Sequence, residues 1–491
     1  MQPRTLARAL ALSFFAGCHA LVVQRTPAPI SSFVSRAQGA GVTLQAISNT
    51  TRSATLDAID IRYATNITVN GQNFRVVVDT GSVDLWLVTP PGFEFQDTGI
   101  PVSNGYGGGV VNGTLGFATV ELGPYSVAQQ AFNNAKSVTL GAILDLGLDG
   151  LIGMSTSGIG DASSIVQSIR LANMNTTLGA PFILNVFAQT PSPNNFVGIS
   201  LARTDDQEGT ADASFTINEV DPSYTAVQNT VKVPLAPANI GQWDFHVENF
   251  TLDGTPIELP LSSVPGAPSG QLVFRLDTGT PTAIVPQSLL DGIYRLIPGS
   301  QFAVVPFLGP QSMWTVPCNM TSILEMTIGG QQFPIHPLDL SDVFMDPETN
   351  VPVCASLISG QTTPTIQGFD ILAGDTFMRN FYSVLNFGLT SPQNASESTG
   401  AFVQLLPQTN AEKAAQDAGS VRAALLASLS SSSSSSTSGS PTGSASADAA
   451  GATGSDSGSH HGKNGAGSGR RAGAWGVGML VLMAMHVFLG L

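Results

Sequence analysis

Val76-Val77-Val78-Asp79-Thr80-Gly81-Ser82 returns 198 residues later as Leu272-Val273-Phe274-Arg275-Leu276-Asp277-Thr278-Gly279-Thr280. Each copy is an apolar strand that runs into Asp-Thr-Gly and then a hydroxyl residue. A single Asp-Thr-Gly says little, because Asp and Gly occupy turns everywhere. Two copies, each after a buried-type strand and each opening a half of similar length, predict two related lobes. The stretches around them agree. Apolar residues between 55 and 407 come in short runs rich in β-branched types, with alternation in Ile59-Ile61-Tyr63 and Phe245-Val247. Asn70-Gly71, Asp253-Gly254 and Gly329-Gly330 punctuate them as hairpin turns. Helical character is confined to Ala162–Ala172, Gln287–Leu296 and Asp375–Asn380. The expected fold is therefore all-β and bilobal, with lobes over 54–230 and 231–407 and a cleft between them.

The duplicated aspartates define a chemistry. Water hydrolyses a peptide bond if one carboxylate takes its proton while a second, protonated carboxyl polarises the carbonyl. Two like charges placed close together cannot both ionise easily, so such a pair shares one proton over an acidic range. Asp79 and Asp277 are the catalytic candidates. Gly81 and Gly279 permit a tight turn whose backbone N–H groups approach the carboxylates. Thr80 and Thr278 can bond across the lobe interface, and Ser82 and Thr280 stand beside the outer carboxylate oxygens. The chemistry needs no metal and no cofactor. His246 and His336 have no Cys or His at ligand spacing, which makes them packing or surface residues. The Gly run 107–109 is no phosphate loop, since no Gly-Lys-Ser/Thr follows.

The formal net charge of −15 excludes nucleic acid and anionic membrane surfaces as partners by repulsion. Met1–Ala20 carries Arg4 and Arg8 before an apolar run and a small residue, the pattern of a signal peptide. Residues 21–53 then form a short propeptide or N-terminal extension. Of three cysteines, Cys18 lies in that signal. Cys318 and Cys354 remain, either as two buried thiols or as one disulfide, which a secreted chain favours. Asn-X-Ser/Thr sequons stand at Asn49, Asn66, Asn112, Asn175, Asn249, Asn319 and Asn394. Residues 408–471, with Ser428–Ser436 nearly pure Ser, read as a disordered and O-glycosylated stalk. The apolar end over 472–491, preceded by a polar spacer and the small cluster around Asn464, reads as a GPI-attachment signal, with a tail-end transmembrane helix as the alternative.

These motifs resemble the pepsin family of aspartic proteases over roughly Leu56 to Pro407. Asp79-Thr80-Gly81-Ser82-Val83-Asp84-Leu85-Trp86 is similar to the family's first active-site motif, with Trp86 as the residue that supports the flap. Tyr106-Gly107-Gly108-Gly109, followed by Gly113-Thr114-Leu115-Gly116-Phe117, resembles the flap hairpin with its substrate-covering tyrosine. Asp149-Gly150-Leu151-Ile152-Gly153-Met154 resembles the strand behind the first aspartate. Asp277-Thr278-Gly279-Thr280 and Ile371-Leu372-Ala373-Gly374-Asp375-Thr376-Phe377-Met378-Arg379 follow in the family's order, and Cys318 and Cys354 take the place of its C-lobe disulfide. The departures are local. Only 20 residues separate Trp86 from Tyr106, the N-lobe disulfide is absent, Val83 and Pro281 replace the usual Ser, and Gly108 stands where the flap often carries a hydroxyl. The resemblance implies a monomeric endopeptidase that takes extended peptides or proteins, is anchored to a membrane by lipid and works in acid. A catalytically silent binding protein on the same fold is the competing reading, and retention of both Asp-Thr-Gly motifs speaks against it.

Overall fold

A computed structural model describes residues 42–47, 62–155, 163–189, 195–203, 213–236, 242–362, 368–388 and 400–434. The signal segment, Asn49, Asn394, Asn464 and the apolar tail lie outside these residues. Among the described residues no helix is long and apolar enough to cross a membrane.

The two sequence repeats build the same four-strand unit. In the first half, Gln72–Asp79 runs parallel to Gly150–Gly153, which is antiparallel to Leu85–Leu87, itself parallel to Tyr125–Val138. In the second half, Leu272–Leu276 runs parallel to Ile371–Ala373, which is antiparallel to Ala283–Pro286, itself parallel to Ile358–Gln361. Each aspartate strand is thus flanked on both edges, by Arg62–Val69 and Asp244–Val247 on the outer sides. A strand so enclosed buries both faces, which explains why Val76, Val77, Val78 and the run Leu272 to Leu276 are continuously apolar apart from Arg275. Arg275 escapes the rule by bidentate pairing with buried Asp244, at 2.6 and 2.7 Å.

The three turn signals all close hairpins. Asn70-Gly71 joins Arg62–Val69 to Gln72–Asp79, and both residues have positive φ, the geometry a two-residue hairpin requires. Asp253-Gly254 and Gly329-Gly330 do the same for Asn249–Leu252 with Thr255–Ile257 and for Leu324–Ile328 with Gln331–Ile335. Between the halves lies a six-stranded sheet in the order Val42–Thr43, Ser214–Ile217, Phe196–Ser200, Phe381–Asn386, Phe402–Pro407, Val233–Pro234. Both halves contribute strands to it, so it ties them together. The architecture is the expected bilobal all-β fold with few helices.

Two boundaries differ from the sequence reading. Val42–Thr43 and Gln45–Ile47, inside the stretch read as an N-terminal extension, pair with Ser214–Ile217 and Arg62–Val69. More substantially, the head of the segment read as a disordered stalk is a helix, Ala411–Ser434. Ala414 and Ala418 are fully buried, Leu425, Leu426 and Leu429 pack against the core, and Arg422 donates to the Ser341 carbonyl and to Asp342 Oδ1. Ala, Leu, Lys and Arg before the Ser run are good helix formers, and their apolar members recur on one face. The serine count conceals that periodicity.

Cys318 and Cys354 are disulfide-bonded, joining a turn to the strand Pro352–Ser356. Asn66, Asn112, Asn175 and Asn319 are exposed, and Asn249 is half-buried. His336 is neither a surface residue nor part of the apolar core. It is fully buried, with Nδ1 accepting from the Leu338 N–H and Nε2 3.3 Å from Asp417 of the C-terminal helix.

Candidate active site

Both aspartates end a buried strand, and the turn that follows each one folds back on it. The Gly81 N–H donates to Asp79 Oδ1 at 2.8 Å and the Ser82 hydroxyl to Oδ2 at 2.5 Å. The second copy repeats the pattern, with the Gly279 N–H on Asp277 Oδ1 and the Thr280 hydroxyl on Oδ2, both at 2.8 Å. The two turns meet face to face. A Cβ at Gly81 would lie 2.5 Å from Asp277 Cγ, and one at Gly279 would lie 2.4 Å from Asp79 Oδ1. Each glycine is thus the wall against which the opposite carboxylate rests, and no larger residue fits.

The threonines lock this arrangement across the interface. The Thr80 N–H donates to Thr278 Oγ1 and the Thr278 N–H to Thr80 Oγ1, both at 3.1 Å. The Thr278 hydroxyl goes on to the Val78 carbonyl at 2.7 Å and the Thr80 hydroxyl to the Leu276 carbonyl at 3.4 Å. All four groups are buried, so every donor and acceptor must be used, and the reciprocal pattern uses them. Further back, the Met154 N–H holds the Asp79 carbonyl, and the Asp277 N–H donates to Ala373.

Asp79 is only 4 % exposed. Burial raises its pKa, the negative charge of Asp277 raises it further, and the Ser82 and Gly81 hydrogen bonds oppose both. The carboxyl is held above the ordinary range, so the pair retains a proton where an isolated aspartate would have lost it. Arg62 was not foreseen as part of this environment. Burial lowers its pKa, while Asp375, Asp277 and Asp79 act on it in the opposite sense, which places a cation within electrostatic reach of both aspartates. No motif marks it, because its relation to the aspartates is made only in the folded chain.

Tyr106 stands at the end of a long hairpin, Gln96–Tyr106 with Gly109–Leu122, and Gly107 and Gly108 form its two-residue tip. Tyr106 packs into a cluster with Trp86, Val77, Val111 and Leu151. Trp86 is fully buried beneath it. Burial raises the Tyr106 pKa, and the charges of Asp79 and Asp84 add to the effect, so the phenol keeps its proton. Among the described residues no three His, Cys, Asp or Glu side chains come together in a way that could hold a metal.

Two duplicated Asp-Thr-Gly turns, packed against each other beneath a Tyr-tipped hairpin, meet a matching family description. The model of the eukaryotic aspartyl protease family matches residues 93–395. The chain belongs to that family. The match contains Asp277 and begins after Asp79. Similar proteins include an aspartic-type endopeptidase ctsD of Aspergillus fumigatus, 26% identical over 67% of this chain and 65% of that protein. A probable aspartic-type endopeptidase CTSD of Arthroderma otae is 28% identical over 57% of this chain and 61% of its own length. Pepsin A of Sus scrofa is 24% identical over 64% and 75%. The chain thus spans a little under two thirds of the length of the two fungal relatives.

Proposed function

We propose that this eukaryotic aspartyl protease family member is an aspartic endopeptidase in which Asp79 and Asp277 activate water between them. One observation carries the reading: each carboxylate rests on the other half's glycine while its own turn supplies one N–H and one O–H donor. The ionised carboxylate accepts the water proton, the protonated one donates toward the carbonyl oxygen, and the tetrahedral adduct then collapses with protonation of the leaving amine. Tyr106, supported from beneath by Trp86, covers an extended peptide and excludes water from the reacting bond. The decisive experiment is incubation with a denatured protein between about pH 2 and 6, where such a pair holds a single proton. Cleavage blocked by pepstatin is expected. A folded, correctly processed protein that cleaves nothing across that range would refute the reading.

Within the proposed acid range the hydroxyl donors tune the pair. The Thr280 hydroxyl donates to Asp277 Oδ2, and a donor on a carboxylate favours the charged state of a proton-sharing pair, so its loss is expected to let the pair hold its proton to higher pH. The singly protonated state then persists to higher pH. Thr280→Ala is expected to move the alkaline limb of the kcat/KM profile upward by up to about one pH unit. An unmoved limb would show that this hydroxyl does not tune the pair.

Secretion, a monomeric state and a GPI-held cell-surface location complete the proposal. Secretion and surface attachment are supported by the N-terminal and C-terminal sequence patterns, the exposed sequons and the disulfide. Release from cells by phosphatidylinositol-specific phospholipase C separates lipid anchorage from a tail-end transmembrane helix.

A further inference from the structure

Five residues after Asp79, on the same turn, a second aspartate is almost wholly buried. Asp84 is 5% exposed, and the leading influences on its charge are burial and neutral hydrogen-bond donors. Its carboxylate joins three parts of the lobe. The Ser163 hydroxyl donates to Oδ1 at 2.5 Å, the Ile165 N–H to Oδ2 at 3.2 Å and the Asn104 side-chain amide to Oδ2 at 2.7 Å. Ser163 caps the helix Ser164–Leu171, and Asn104 lies two residues before Tyr106 on the flap hairpin. On its other side the Asn104 carbonyl oxygen accepts from Asn133 Nδ2 at 2.7 Å, and that amide also reaches the Val111 carbonyl at 3.2 Å. Val111 is the cross-strand partner of Asn104.

The hairpin is therefore clamped at one rung, two residues from its tip, while Ser103, Gly105, Val110 and Asn112 around that rung are exposed. The clamp leads back to the reacting groups. Gly153 donates to the Asp84 carbonyl, Ser155 to that of Ser82 and Met154 to that of Asp79, at 2.7 to 3.1 Å. We propose that Asp84 is a positioning residue for substrate binding, its carboxylate holding the flap through Asn104 so that Tyr106 keeps its place over the dyad. This rests on the peptidase reading of Asp79 and Asp277. Burying a carboxylate is costly, and burial raises the Asp84 pKa; the hydrogen bonds from Ser163, Ile165, Asn104 and Ser164 oppose that rise without cancelling it, and the flap supplies one of them. The groups that face Asp84 are Ser163, Ser164 and Ile165 from the helix start and Asn104 from the flap, and Tyr106 is the titratable neighbour that feels its charge.

Two variants test the link. Asn104→Asp, when protonated, offers an O–H to Asp84 and a carbonyl to Asn133, the same layout as the amide. When ionised it sets two carboxylates within hydrogen-bond distance. The ratio of its kcat/KM to wild type should be near one at about pH 3 and fall at least about tenfold by about pH 6, mainly through KM. Asn104→Leu should show a deficit of similar size at every pH. Deuterium uptake over 96–111 in the substrate-free protein should be faster than wild type in Asn104→Leu throughout, and in Asn104→Asp only at the higher pH. A pH-independent activity ratio for Asn104→Asp, or flap exchange unchanged in Asn104→Leu, overturns the proposal. Exchange needs no turnover. An inactive wild type would therefore refute the peptidase reading and leave this test intact.

Discussion

Asp79→Asn and Asp277→Asn are each expected to lower kcat by on the order of 10³-fold or more while leaving a folded protein. The fold survives because an amide keeps the shape and most of the hydrogen bonding. Its carbonyl oxygen can still accept from Gly81 or Gly279, and the hydroxyl of Ser82 or Thr280 can rotate to accept from the new N–H. The chemistry does not survive, because an amide neither takes a proton from water nor gives one to a carbonyl oxygen. The two losses should be similar in size and should not add in the double variant, since the carboxylates act as one proton-sharing unit. Initial rates on a denatured protein substrate within the proposed acid range, with melting temperatures as a check on folding, decide the matter. A folded variant of either kind within tenfold of wild type would remove that aspartate from the mechanism.

The second large effect concerns stability. Asp339, on the short helix Pro337–Leu340, is 1% exposed and lies between two buried guanidinium groups. Arg203 Nη2 donates to Oδ2, Arg379 Nε to Oδ1 at 2.8 Å and the Asn380 amide to Oδ2 at 2.9 Å. Asp339→Asn leaves both cations without their anion, and breaking a buried pair from one side costs about 3–5 kcal/mol. The pH dependence carries a signature. Burial by itself raises the Asp339 pKa, but Arg203 and Arg379 outweigh it and hold the carboxyl down to about 2, against an ordinary 3.8. A depressed folded-state pKa means stability that is complete above the unfolded value and lost as pH falls through the folded one. The unfolding free-energy gap between wild type and Asp339→Asn should therefore be full at pH values above about 4 and shrink toward about pH 2. His336, pushed down to about 3 by burial first and then by Arg203, adds its own acid slope to both proteins. A gap that stays below about 1 kcal/mol, or that does not narrow in acid, would contradict the ion-pair account. The network thus remains charged over most of the range in which the proposed activity operates.

How much of this was legible beforehand follows from the range over which each interaction acts. Strand type, hairpin position and the repeated Asp-Thr-Gly-Ser/Thr are local, and the sequence states them through residue alternation, Asn-Gly and Asp-Gly pairs and a motif that recurs. Asp79, Asp277 and the Thr, Gly and hydroxyl residues beside them could be named as candidates because the donors that serve each carboxylate lie two and three residues away in the chain. The helix Ala411–Ser434 was obscured by its serine tail, although Ala414, Ala418, Leu425 and Leu429 already carried its face.

By itself the sequence determined two related β halves and marked the candidate paired carboxylates and the candidate flap hairpin, because each of these is encoded within a few consecutive residues. Tertiary structure alone decided which glycine walls which aspartate, that Arg62 lies within reach of both carboxylates, that Asp84 ties the flap to the turn that bears Asp79 and that Asp339 sits between Arg203 and Arg379. Those relations join residues from under twenty to more than two hundred positions apart. Hydrogen bonds and ion pairs are decided by distances of a few ångströms, and only the folding of strands past one another brings such groups within that range.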